Sequence, residues 1–189
     1  MKTTFTNRIN NDLRESNISW KIILFFIPVA FGSYLFHEFG HWISGELSGN
    51  KMTMGLNNAA PQSGMFLKES HALWSAIGGP AFTIFQALLF LIVTWATKSV
   101  YAYSVVFFAA FLRFFSILFG GISLQDEARI AGMLGVNQYF TAALVLAILF
   151  LITWQSTRLM KLNMKAVGYF TVLSTFAILL VIKVDDIIR

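Results

Sequence analysis

The sequence predicts an all-α integral-membrane protein with about five transmembrane helices. Three observations carry this. Of 189 residues, 57% are apolar and only 12% are charged, about half the ~25% of an average soluble domain. So few charges cannot cover the surface of a soluble protein of this size. The apolar residues come in long blocks, as over 22–36 and 81–96, of the kind that crosses a bilayer. Trp20, Trp42, Trp74, Trp95 and Trp154 fall near block ends, where the bilayer interface favours aromatic rings. The same composition excludes a disordered chain. The absence of cysteine excludes disulfides, thiolate metal ligands and cysteine nucleophiles. A net charge of +5 in such a chain points to membrane topology and anionic lipid, not to nucleic acid.

The elements follow in order. Residues 1–17 are a polar tail. Phe5, Ile9 and Leu13, four apart, leave open a short helix on the membrane surface. No small-residue cleavage site follows the first apolar block, which is therefore expected to be retained. Residues 18–189 read as one integral-membrane domain. Its spans are expected at 18–43, 72–96, 100–119, 139–154 and 167–184, each near the ~20 residues a bilayer needs and the last two short. The longest polar connection covers 48–70. Within it Lys51-Met52-Thr53-Met54 alternates as a strand does, with a plain surface loop as the other reading. Pro28 and Pro80 are expected to kink their helices. Gly78-Gly79-Pro80 and Gly120-Gly121 suit either irregular backbone around a wet cavity or close helix packing.

Orientation is read from basic residues. An inside N-terminus places Lys2, Arg8, Arg14, Lys21, Lys98, Arg158, Lys161 and Lys165 inside. It leaves Lys51, Lys68, Arg129, Lys183 and Arg189 outside. The bias favours an inside N-terminus only weakly, so the side on which the site opens stays open.

Ionisable groups inside an apolar span are functional candidates by default. The first span runs apolar or small from 22 to 36 and then reads His37-Glu38-Phe39-Gly40-His41. Residues four apart lie on one helix face, a turn apart. His37 and His41 can therefore bind the same metal ion. Glu38, about 100° further round, can reach a water beside it. This is the H-E-x-x-H arrangement of two ligands and a general base.

Catalytic zinc usually takes three protein ligands, so a third is needed. The candidates are Asp126, Glu127, His71, Glu69 and Glu46. Spans one and three run in the same direction, so the end of span three lies at the depth of the histidines. Asp126, just past it, is the expected ligand. Arg113 lies in span three, thirteen residues before Asp126. On a continuous helix that is about 220°, so it is expected to snorkel or pair away from the metal.

These residues resemble the site-2 protease family (peptidase family M50), the intramembrane zinc metalloproteases. The resemblance is carried by His37-Glu38-Phe39-Gly40-His41, by Gly79-Pro80 in the second span and by Asp126-Glu127-Ala128-Arg129-Ile130 after the third. It covers about residues 30–135. It implies a three-helix metalloprotease core over about 18–135, with accessory helices over about 136–189. It also implies one zinc ion on His37, His41 and Asp126, Glu38 as catalytic base, and a single-span membrane protein as substrate. The family's usual Asp-Gly-Gly-Arg-Ile is Asp-Glu-Ala-Arg-Ile here. Thr83 stands where the family tends to place an asparagine, and Gln86, one turn on, is positioned to take over its polar role. Met52, Thr53 and Met54 would form an edge strand that holds an unwound substrate by strand addition. Thr83, Gln86 and this strand are thus the candidate substrate-binding residues.

Other classes stay open. The chain is also compatible with a divergent, inactive member acting as a membrane binding or regulatory protein, and with a metal or ion transporter. Two histidines and a carboxylate also suit non-haem iron. The sequence does not fix an oligomeric state.

Overall fold

The structure is a computed structural model that describes Asn7, Ile9, Asn11, Leu13 and residues 18–188. The polar tail expected over 1–17 lies outside the described residues except at those four positions. The chain is an all-α, multi-pass integral membrane protein. Its elements are α1 (Trp20–Leu47), β1 (Met52–Met54), β2 (Ala59–Pro61), α2 (Glu69–Thr97), α3 (Val100–Gly120), a single 3-10 turn (Ile122–Leu124), α4 (Asp126–Leu134), α5 (Gln138–Met160) and α6 (Met164–Ile188). Among the described residues five helices, α1, α2, α3, α5 and α6, are long and apolar enough to cross a membrane.

The helices overrun the expected spans at their polar ends. α5 has 23 residues and α6 has 25, beyond the short blocks at 139–154 and 167–184. Hydropathy marks the stretch that lipid accepts. Helical hydrogen bonding continues past it through Arg158 in α5 and Lys165 and Asp185 in α6. Both α1 and α2 run on through their prolines, Pro28 and Pro80.

α3 is the hub. Some 61% of its apolar stretch is buried, against 28% in α5 and α6. On one side Tyr103, Phe107 and Phe108 pack with Phe26 of α1 and Phe170 of α6, with the Tyr103 and Phe170 rings edge-on and their centroids 4.9 Å apart. On the other, Val106, Ala109 and Ala110 pack with Ala87 of α2 and Val145, Leu149 and Ile152 of α5. Outward faces remain apolar. Leu24, Leu88, Ile92, Leu151 and Phe176 are exposed, as lipid-facing side chains must be. Trp20, Trp74, Trp95 and Trp154 also project outward.

α1 and α2 approach backbone to backbone. A Cβ on Gly40 would come within 2.8 Å of the Gly78 carbonyl carbon. The glycines of Gly78-Gly79-Pro80 thus serve close packing inside an unbroken helix. Gly120-Gly121 does the opposite: Gly121 has φ +85°, which ends α3 and turns the chain into α4. Successive spans alternate in direction. The C-terminal ends of α1, α3 and α6, the N-terminal ends of α2 and α5, the hairpin and α4 therefore share one face.

Candidate metal centre

α1 carries His37, Glu38 and His41 to this face, with His41 and Glu38 buried at 6% exposure each. Each imidazole is fixed from behind. His41 Nδ1 lies 2.7 Å from the Ser75 carbonyl of α2. A carbonyl only accepts, so Nδ1 carries the hydrogen. His37 Nδ1 lies 2.9 Å from Thr83 Oγ1. That hydroxyl already donates to the Gly79 carbonyl at 3.1 Å, so it accepts from His37, and Nδ1 again carries the hydrogen. Both Nε2 atoms of the neutral rings are therefore left as lone pairs, and they face each other 3.2 Å apart. Ring orientation by a partner on the second nitrogen is the usual support of a histidine metal ligand.

Asp126 completes the cluster from α4. After the break at Gly121, the Gln125 side chain donates to the Ser116 and Gly121 carbonyls at 3.1 and 3.2 Å. This ties the turn back onto the end of α3. Asp126 is the first residue of α4, where the helix dipole favours an anion. Its Oδ2 lies 3.1 Å from His37 Nε2 and 3.4 Å from His41 Nε2. Three donor atoms thus form a triangle with sides of 3.1, 3.2 and 3.4 Å. Tetrahedral zinc with bonds of 2.0–2.2 Å sets its ligands about 3.3–3.5 Å apart. Lone pairs this close repel unless a proton or a cation lies among them. A proton on one ring satisfies one contact, whereas a metal ion satisfies all three. His37, His41 and Asp126 can therefore hold a metal ion. Burial alone would raise the Asp126 carboxyl, but without a metal, protons on the imidazole nitrogens that face it outweigh burial and hold the carboxyl well below the usual carboxylate range.

The cluster opens into a cavity of about 450 Å³. Glu38 and Tyr34 line it from α1, Asn57, Asn58 and Ala59 from the hairpin, and Ile178 and Ile182 from α6. α6 is thus part of the cavity wall, although no motif in its sequence marks it.

The expected strand forms at Met52–Met54 and pairs antiparallel with Ala59–Pro61, in the register Met52 to Pro61 and Met54 to Ala59. Met52, Thr53 and Met54 do not line the cavity. Met52 is buried against Gly45, its sulfur 2.6 Å from where a Cβ would stand. Its N–H donates to Glu46 Oε1 at 2.7 Å, so α1 covers the edge of β1 at this residue. Bonds from Gly55 N–H to the Asn58 carbonyl and from Gln62 N–H to the Lys51 carbonyl fix the alternation. Ala59 is then in a non-bonded pair and turns its N–H and C=O away from β1. The strand edge beside the cavity belongs to β2.

Of the other candidates, Thr83 stands behind His37 as the acceptor of its Nδ1 hydrogen while also lining the cavity. Gln86 is not brought to the centre: it donates to Ser33 Oγ at 2.8 Å and borders a separate apolar cleft between α1 and α2. His71 contacts Asn50 Nδ2 at 3.2 Å, and Glu69 sits in the first turn of α2. Glu127 is fully buried and bonds Arg113.

Arg113 corrects the sequence expectation. It lines the cavity, and its Nη2 donates to Asp126 Oδ2 at 3.1 Å. The 220° separation assumed one continuous helix. The break at Gly121 folds α4 back, so the count of 100° per residue fails across it. Ser75, which orients His41 through its backbone carbonyl, carried no sequence signal at all.

The chain matches no protein-family model, no curated protein and no solved structure.

Proposed function

We propose that the protein is an intramembrane zinc metalloprotease of the site-2 protease type, hydrolysing peptide bonds of single-span membrane proteins. The observation that carries this is the convergence of three lone pairs, on His37 Nε2, His41 Nε2 and Asp126 Oδ2, beside a buried glutamate in a cavity of about 450 Å³.

His37, His41 and Asp126 would hold the zinc. When bound, it would supply a Lewis acid that acidifies water and polarises a carbonyl. The remaining chemistry falls to the chain. Glu38, adjacent to the first ligand and lining the cavity, accepts the proton of the attacking water and returns it to the departing amine. Thr83 and the Ser75 carbonyl keep both imidazoles turned toward the cavity. A helical substrate must unwind before its carbonyls are accessible. The outward edge of β2 at Ala59 is suited to pair with the unwound segment. The apolar walls from α3 and α6, Phe115, Ile178 and Ile182, suit apolar side chains of a membrane segment.

The test compares wild type with Glu38→Gln in detergent on single-span substrates. Loss of cleavage by about 10²–10⁴-fold, with zinc retained, is expected. Cleavage that persists in Glu38→Gln rejects the assignment of Glu38. Zinc binding without cleavage in wild type favours the inactive or transport readings.

A further inference from the structure

Arg113, Glu127 and Asp126 form a buried unit whose geometry suggests more than charge balance. Glu127 is 0% exposed and Arg113 is 6% exposed. Glu127 takes two bonds from one edge of the guanidinium: Nε donates to Oε1 at 2.7 Å, and Nη2 donates to Oε2. With that edge held, the guanidinium plane is fixed. The second hydrogen of Nη2 then meets Asp126 Oδ2 at 3.1 Å, the same oxygen that faces both imidazoles. Arg129 Nη2 approaches the other oxygen, Oδ1, at 3.3 Å.

We infer that Arg113, clamped by Glu127, is a positioning residue that presents the Asp126 carboxylate to the metal. The inference rests on the metal reading above. A carboxylate at the first residue of a short helix, just after a turn, has two side-chain torsions to settle. Arg129 is half exposed on its own helix turn and cannot settle them alone. Arg113 comes from the hub helix and is buried, so it fixes the oxygen relative to α3. Its charge also separates the neighbouring acids Asp126 and Glu127, which would otherwise repel each other and splay the start of α4. Unlike a purely structural ion pair, this arrangement aims one defined hydrogen at one ligand atom.

The two roles separate when both members of the Arg113–Glu127 pair are removed. Replacing a whole buried ion pair by apolar residues is often tolerated, whereas removing one partner strands a charge. Arg113→Leu with Glu127→Leu therefore isolates the effect on Asp126. The probe is Co²⁺ bound to the full-length chain in detergent, read by chelator competition and by its visible absorption. In the double variant, with helicity and elution as in wild type, Co²⁺ affinity is expected to fall by about 10–100-fold, as for other groups that orient a ligand. The visible bands are expected to change as the carboxylate loosens. Arg113→Lys, read in protein with wild-type helicity and elution, keeps the buried charge but lacks the fork that bridges two carboxylates. It is expected to lose affinity by about tenfold. Wild-type affinity and spectrum in either variant overturns the inference while leaving the metal centre standing. A wild-type chain that binds no Co²⁺ overturns the metal reading, and this inference with it.

Discussion

Gly79→Ala is the most informative single substitution away from the ligands. A Cβ there would collide with His41 Nε2, and would stand 2.5 Å from His41 Cε1 and 2.7 Å from His37 Cε1. Ordinary contact begins near 3.4 Å, so the two rings must retreat by roughly 0.7–1.2 Å. Moving α2 away instead would part the close α1–α2 backbone packing, where a Cβ on Gly78 would stand 2.7 Å from the Gly40 carbonyl carbon. Metal sites tolerate about ±0.2 Å in ligand distance, and misplacement by ~1 Å costs about 100-fold in function. Metal affinity is therefore expected to fall about 100-fold. Stability should change far less, by about 1–3 kcal/mol for overpacking at one site. The assay is metal affinity by chelator competition beside thermal unfolding in detergent. Gly32→Ala is the control. It sits in α1 with nothing within 4 Å of its Cβ, so metal binding should be unchanged and stability equal or slightly higher. Wild-type metal affinity in Gly79→Ala refutes the reasoning that α2 sets the position of the imidazoles.

Other expectations follow from the same geometry. Thr83→Val keeps the shape but removes the acceptor of the His37 Nδ1 hydrogen. Metal affinity should drop about 10–100-fold, with a loss of about 1–3 kcal/mol for the stranded donor, measured by competition and thermal unfolding. Gln86→Leu should leave metal affinity unchanged, because its partner is Ser33; a tenfold drop would place Gln86 in the site after all. The Asp126 carboxyl is depressed in the folded state. Its stabilising contribution in the metal-free chain is therefore complete above its unfolded pKa of about 4 and is lost as pH falls through the lower folded value. Asp126→Asn should flatten the acid limb of Tm against pH below about pH 4, and a parallel limb in that variant would assign the acid loss to other groups.

How much of this was legible in the sequence depends on how local the signal is. His37, Glu38 and His41 lie on one helix, so spacing alone aligned them. Asp126 is 85 residues from His41 by number, yet the parity of spans brought it to the same membrane depth. Arg113 escaped for the complementary reason: its direction depends on the positive φ of Gly121, which a count of residues cannot supply. Alternation marked β1 but not β2. Ala59, Ala60 and Pro61 carry no alternating pattern, so the cavity-facing edge fell on the unmarked strand. Ile178 and Ile182 look like any lipid-facing isoleucines in a run of apolar residues. Only the packing of α6 against α1 and α3 turns them toward the cavity.

The most direct test of the central claim is the zinc K-edge X-ray absorption of the purified chain, compared with Asp126→Ala. The expected wild-type result is one zinc per chain, with two imidazole nitrogens and a carboxylate oxygen at about 2.0–2.2 Å. The oxygen contribution should fall in Asp126→Ala. No bound zinc, or an unchanged spectrum in Asp126→Ala, would contradict the three-ligand centre.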